Sequence, residues 1–411
     1  MKDFNKHTYR NTQLFQWAVI GIFIMFLAGC QKNTETEGPE GDKRGDLIES
    51  TYITSFTAAN ILAILNTYGV DVNVEIKYNV DIYKLLYYTP GPDGTLLEAS
   101  GALMIPKDAI DLPTISFQHG TETKRNLVAS YNPIGTAEGV AGLVSASIGF
   151  VSLLPDYLGL GDSYVLHPYL HAALSGGTVI DLLRAGNIFS IENGITLNGD
   201  LYLGGYSEGG YVTLAAQKEI EEQLSFEFNI VASAPQAGPY DLYETTLYFL
   251  SLEEYPEPTF MAYLLTAYND VYGWNRLPGI FNEPYAGKMP VLFNGTHTSS
   301  EINSQLTTNI KELIREDFLN GLEDGTEKDF LDALKENTLL NWTAIAPIRF
   351  YHSNGDEVVP FQNSFTAVQN LKANGASKVE MVTIEGMKHS EAALPAVTQM
   401  IEWFDSLRIA R

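Results

Sequence analysis

One pentapeptide in this chain of 411 residues is built to make a hydroxyl react: Gly205-Tyr206-Ser207-Glu208-Gly209. A serine hydroxyl is a weak nucleophile unless a general base is held against it in a fixed geometry. The pattern Gly-x-Ser-x-Gly allows this by seating serine on a sharp, strained turn from strand to helix, where side chains at the flanking positions would clash. With 35 glycines in the chain the bare pattern also arises by chance, so its context decides. Leu201-Tyr202-Leu203 before it is β-prone, and Tyr211-Val212-Thr213-Leu214-Ala215-Ala216 after it opens a helical pattern. Gly204 and Gly210 leave that helix room to approach the sheet.

The serine needs a base, and the base needs an acid to orient it. Asp356 stands just past the apolar run ending at His352, in Tyr351-His352-Ser353-Asn354-Gly355-Asp356-Glu357-Val358-Val359-Pro360. The competing readings are an aspartate that merely caps a turn, and Glu357 next door as the acid. His389 lies in Glu385-Gly386-Met387-Lys388-His389-Ser390, and it alone of the histidines follows both Ser207 and Asp356. It is the expected proton relay. An oxyanion then needs two donors, the N–H of Glu208 and the N–H of Thr121 in Phe117-Gln118-His119-Gly120-Thr121. His119 reads as structural, and Asp156 and Asp162 as braces for a loop bordering the site. His167 and His171 have metal-ligand spacing, but no acidic third ligand falls in register and Pro168 disturbs a helix there. No metal is assigned.

Elements of two kinds must hold these groups. Tyr83–Thr89 and Leu97–Pro106 flank Pro90-Gly91-Pro92-Asp93-Gly94 and predict a hairpin. Strands are then expected at Thr114–Gln118, Phe150–Leu154, Leu201–Gly204, Ile230–Ser233, Ile348–His352 and Val379–Ile384. Helical patterns at Thr178–Ile188, Gly210–Leu224, Ser364–Asn374 and Ala393–Leu407 lie between or after them. An antiparallel start followed by strand–helix alternation predicts an α/β fold with a mostly parallel central sheet flanked by helices. From 242 to 344 the alternation stops in a run rich in aromatics, followed by a polar, helix-forming stretch around Ile310–Glu336. A hundred structureless residues inside a compact domain are implausible, so this segment predicts a helical cap insertion. The core is then 47–241 and 345–411.

The amino terminus is of another character. Lys2, Lys6 and Arg10 precede an uncharged run from Trp17 to Ala28, too short to span a bilayer, which reads as a secretory signal over 1–29. It ends in Leu27-Ala28-Gly29-Cys30, and Cys30 is the only cysteine in the chain. Small residues before this cysteine resemble the lipobox of bacterial lipoproteins. The resemblance implies a lipid on Cys30 and a chain attached through it to the cell envelope, with Gln31 favouring the outer membrane. The alternative is a transmembrane anchor with a chance cysteine. Residues 31–46 contain no hydrophobic side chain and predict a flexible tether, making 30–46 the linker. A net charge of −25 argues against nucleic acid and anionic lipid headgroups as partners.

With Ser207, Asp356 and His389 in this order, the chain resembles the α/β-hydrolase superfamily. Pro155-Asp156-Tyr157-Leu158-Gly159-Leu160-Gly161-Asp162, Asp181-Leu182-Leu183-Arg184-Ala185 and Gly205–Gly210 make it similar to the secretory lipase family typified by Candida lipase A. The likeness covers most of 75–407 and is weakest across the aromatic insertion. It implies a helical cap over the site and an esterase or lipase that needs no metal or cofactor. The substrate would be a small-molecule ester, a lipid or an acylated glycan. Two other functions stay open: a serine peptidase of the prolyl-peptidase type, and a lipoprotein that uses the scaffold only to bind.

Overall fold

The computed structural model describes residues 41–410. The expected signal, Cys30 and the first part of the expected tether lie outside them. Gly41 and Asp42 are exposed and belong to no element, and the compact body runs on from Lys43.

Its centre is one sheet of nine strands in the order β1-β2-β3-β5-β4-β6-β7-β8-β9. They are β1 (Leu47–Phe56), β2 (Val80–Pro90), β3 (Leu96–Pro106), β4 (Leu112–Gln118), β5 (Val151–Pro155), β6 (Leu197–Tyr206), β7 (Asn229–Gln236), β8 (Ile348–Ser353) and β9 (Val379–Ile384). The first three pair antiparallel, and β3 also meets β5 antiparallel; every pairing from β5 through β4, β6, β7 and β8 to β9 is parallel. The fold is the predicted α/β sandwich.

Side chains alternate between the two faces, as the period of a strand requires. On β6, Leu201 and Leu203 enter one apolar core while Tyr202 enters the other. On β3, Leu103 and Ile105 face the first core, and Ala102 and Met104 the second. Helices α1 (Ala58–Tyr68) and α2 (Ala137–Ser147) come before β5; α3 (Ala172–Glu192) and α4 (Glu208–Gln223) flank β6. Helices α3 and α4 contribute Leu182, Val212 and Leu214 to the first core, whereas α1 and α2 contribute Ile61 and Val144 to the second.

Between β7 and β8 the chain forms eight helices: α5 (Leu242–Ser251), α6 (Pro258–Val271), α7 (Leu277–Ile280), α8 (Tyr285–Leu292), α9 (Ser299–Asn303), α10 (Ile310–Leu313), α11 (Glu316–Asp324) and α12 (Lys328–Glu336). Tyr263, Tyr268, Phe281 and Phe330 from this segment are buried and continue the first core. The aromatic richness of the insertion is therefore largely core. Two further helices, α13 (Gln362–Ala373) and α14 (His389–Ile409), complete the layers. Among the described residues no helix is long and apolar enough to cross a membrane.

Several features depart from the sequence reading, helix α1 among them. Strand β1 carries only exposed and half-buried residues at the sheet edge, so it lacks the apolar run that marks a strand. Helix α2 is rich in glycine and serine, which lowers its intrinsic preference. Packing requires it: a Cβ on Gly142 would stand 2.8 Å from the Leu154 side chain of β5. And residues 43–46, assigned to the tether, are fastened to the body. The Arg44 guanidinium donates to buried Asp181 at 2.9 Å, and the Gly45 N–H donates to the Tyr88 carbonyl at 2.7 Å. The reading of the tether missed this because its only signal was the lack of apolar residues.

Candidate active site

Every expected catalytic and oxyanion-hole residue falls at the carboxyl ends of the parallel strands, where open α/β sheets form their crevice. Ser207 follows β6, the 119–121 loop follows β4, Asp356 lies just beyond β8, and His389 follows β9 at the start of α14.

Ser207 has φ 60° and ψ −122°, a conformation that costs an ordinary residue strain. Its surroundings enforce it. A Cβ on Gly205 would lie 2.5 Å from the Gly209 carbonyl oxygen, and one on Gly209 would lie 2.0 Å from the Gln118 oxygen. The Ser207 N–H donates to the Gln236 carbonyl of β7 at 2.8 Å, which ties the turn to the neighbouring strand.

The imidazole of His389 bridges to the serine. Its Nε2 is 2.9 Å from Ser207 Oγ, and its Nδ1 is 2.6 Å from Asp356 Oδ2. Both ends of the His389 backbone are held as well. Its N–H donates to the Glu357 carboxylate at 3.0 Å, and its carbonyl accepts from the Tyr206 hydroxyl at 2.6 Å. Glu357, the rival acid, thus contacts the main chain of His389 and leaves its ring to Asp356.

The Asp356 side chain is fully buried. Its Oδ1 accepts the N–H groups of Val358 and Val359 at 2.9 and 2.8 Å. Its Oδ2 is shared by His389 and by His352, whose Nε2 is 3.2 Å away. Burial alone would raise this carboxyl, but the hydrogen bonds from His352 and His389 outweigh it and hold the group below the usual carboxylate range. Sequence reasoning passed over His352. It is fully buried, with Nδ1 2.7 Å from Ser364 Oγ and Nε2 also 3.0 Å from the Val359 carbonyl. If Ser364 donates to Nδ1, then Nε2 carries the proton and points it at Val359 and Asp356. The signal available was its place at the end of β8, four residues before the acid.

On the other side of Ser207, a Cβ on Gly120 would lie 3.8 Å from Ser207 Cβ, so the loop after β4 is pressed against Ser207. Thr121 follows directly, its hydroxyl bonded to Tyr169 OH at 2.9 Å. Glu208 begins α4, and its buried carboxylate meets His167 Nε2 at 2.7 Å. His167 Nδ1 is 2.7 Å from the Leu158 carbonyl. His167 therefore braces the residue after Ser207, and its two nitrogens are already engaged. His171 caps α3, its Nδ1 accepting from the Leu174 N–H at 3.4 Å. His119 is buried, with its nitrogens 2.6 and 3.2 Å from the carbonyls of Gly120 and Asp156 and its ring 4.1 Å from that of Tyr157. Those contacts hold the loop. Asp156 accepts from Ser100 and Ser130 at 2.6 Å each, and Asp162 from Tyr131 at 2.5 Å.

No family model matches the chain, and no curated protein matches it. Solved structures do. A protein of Legionella pneumophila assigned as a hydrolase is 26% identical, with a TM-score of 0.81 over 88% of this chain and 98% of its own. The rice cell wall degrading esterase LipA of Xanthomonas oryzae is 30% identical, with a TM-score of 0.78 over 89% of this chain and 98% of its own. The chain belongs to the α/β-hydrolase superfamily. Within it, this α/β-hydrolase is a carboxylic ester hydrolase of the esterase and lipase kind. The closed form of lipase A from Candida antarctica shares the fold of this hydrolase, at 17% identity and a TM-score of 0.67 over 88% of this chain and 83% of its own.

Proposed function

We propose that Ser207, His389 and Asp356 are the catalytic triad of this hydrolase and that it cleaves esters through an acyl-enzyme. The observation that carries the reading is the unbroken line of contacts from Ser207 Oγ through the His389 ring to a buried, ionised Asp356. His389 Nε2 takes the serine proton as Oγ bonds to the ester carbonyl carbon, and the carbonyl electron pair moves onto oxygen. The N–H groups of Glu208 and Thr121 hold that oxyanion. On collapse the carbon–oxygen bond to the alcohol breaks, and the alcohol leaves with the proton from Nε2. Water then gives a proton to Nε2 and bonds to the acyl carbon. The acid departs as Ser207 recovers its proton. Asp356 stays ionised throughout and stabilises the imidazolium that forms twice per cycle.

The substrates of this reading are small-molecule esters, lipids or acylated glycans. The first test is a p-nitrophenyl ester panel on residues 43–411. Ser207→Ala should keep the fold and lower kcat by on the order of 10⁶-fold. Wild-type protein should react with a fluorophosphonate at Ser207. Turnover in the alanine variant, or a serine that does not label, overturns the assignment.

We also propose that Cys30 carries the lipid that attaches the chain to the outer membrane. Its support is the sequence around Cys30. Labelling of cells with a palmitate analogue should mark the wild-type protein and not Cys30→Ala; equal labelling of both sinks the proposal.

A further inference from the structure

The cavity that opens on Ser207 is small. Its volume is about 50 Å³, against about 420 and 500 Å³ for two others whose walls include neither Ser207 nor His389. The first of these larger spaces is lined by Thr114, Val151 and Leu197 at the amino ends of β4, β5 and β6, at the opposite edge of the sheet. Size therefore does not mark the reactive end of this molecule.

The walls of the small cavity have a definite origin. Pro239 lies just beyond β7, the strand whose Gln236 carbonyl receives the Ser207 N–H. Helix α5 starts three residues later. Leu242, Thr245, Thr246 and Phe249 all line the cavity, and their spacing i, i+3, i+4, i+7 puts them on one face of α5. Phe249 stands two turns, about 10 Å, beyond Leu242 on that face. It is the bulkiest of the four, and Tyr255, which also lines the cavity, packs on it with the two ring centres 4.5 Å apart. Leu264 of α6 faces them across the cavity.

We infer that this cavity is the acyl-chain pocket and that Phe249 sets its depth, making the protein an esterase for short acyl groups. The inference rests on Ser207 being the nucleophile. The acyl group stays on Ser207 between the two chemical steps while the alcohol must leave, so the narrow apolar space suits the part that remains. At about 50 Å³ the space is a small fraction of either larger one, and it matches a short acyl tail. Acetyl to butyryl tails fit. An octanoyl tail requires Phe249 to be displaced.

The test is a chain-length profile with p-nitrophenyl acetate, butyrate, octanoate and palmitate on wild-type, Phe249→Ala and Phe249→Leu protein. Fluorophosphonate labelling and thermal melts run alongside. Wild-type kcat/KM should peak at acetate or butyrate and fall about tenfold or more at octanoate. Phe249→Ala should raise the octanoate-to-butyrate ratio about tenfold, and Phe249→Leu should move it the same way by less. The leucine variant keeps most of the core volume and answers the question should the alanine variant not fold. A wild-type peak at octanoate or palmitate overturns the inference, as does an unchanged ratio in a folded variant. If Ser207 labels while the profile is wrong, the pocket reading alone fails. If Ser207 does not label and no ester is hydrolysed, the assignment of the nucleophile fails and takes the pocket with it.

Discussion

Two buried aspartates stand on opposite sides of Ser207 in the sheet order, Asp356 beyond β8 and Asp156 after β5. Both lose water, and burial pushes both toward the neutral form. Asp356 ends well below the usual carboxylate range, yet Asp156 is pushed up to about 6. The difference lies in the donors. Asp356 receives two backbone N–H groups and two imidazoles. Asp156 receives two serine hydroxyls on one oxygen, and its other oxygen has no partner among the described residues. Hydroxyls can serve a protonated acid as readily as an ionised one, whereas N–H donors and an imidazolium favour the charge. Asp356 takes its donors from backbone and imidazole nitrogens, whereas those of Asp156 are mainly hydroxyls.

Breaking the charged side should produce the largest loss. Asp356→Asn keeps the shape but removes the negative partner and disturbs the tautomer of His389. Its kcat should fall on the order of 10⁴-fold with KM little changed. A fall of less than about tenfold would show that the contrast between the two aspartates has no bearing on catalysis.

His352 sharpens the same point. If it acts by fixing the charge and direction of Asp356, His352→Phe should lower kcat about tenfold to a hundredfold, the worth of one hydrogen bond to a charged group. KM should hold, and His352→Gln, which restores an N–H donor, should recover part of the loss. Equal damage from both variants, tracking a lower Tm, would reduce His352 to a packing residue.

The raised carboxyl of Asp156 predicts a pH effect of opposite kind. The folded pKa of Asp156 is raised, so the folded state binds its proton more tightly than the unfolded chain. Its cost therefore grows as pH rises from about 4 to about 6. Asp156→Asn, which cannot ionise, should gain on wild type in Tm across that window. The folded pKa of Asp356 is depressed, so its stabilising contribution is complete above about 4 and is lost only as pH falls through the folded value. The deficit of Asp356→Asn should then stay constant from pH 5 to 8. Parallel curves for the two variants would contradict the assignment of charge.

Much of this site was legible in the sequence because its requirements are local. Gly205, Gly209 and Gly210 are forced by backbone atoms within 3 Å of where their Cβ would be, and the strand and helix patterns adjoin the motif. The order serine, aspartate, histidine is what the resemblance to the α/β-hydrolases implies. What escaped is non-local. His352 meets Ser364, and Glu208 meets His167, through pairings that only the folded chain brings about. Strand β1 and helix α2 escaped for the complementary reason: partners elsewhere in the chain override their own weak preferences.

The smallest effect belongs to Glu357, and it decides which acid the site uses. Its carboxylate accepts the His389 N–H, so it positions the first residue of α14 without touching the ring. Glu357→Ala should cost about threefold to tenfold in kcat/KM, the net worth of one ordinary hydrogen bond. Glu357→Gln, whose amide oxygen still accepts from that N–H, should stay nearer wild type. These losses are far smaller than that expected for Asp356→Asn because a displaced backbone N–H can find water, while an imidazolium without its buried partner cannot. Should Glu357→Ala instead match Asp356→Asn, the neighbouring glutamate would share the role of acid. The charge that matters would then belong to the loop after β8 as a whole.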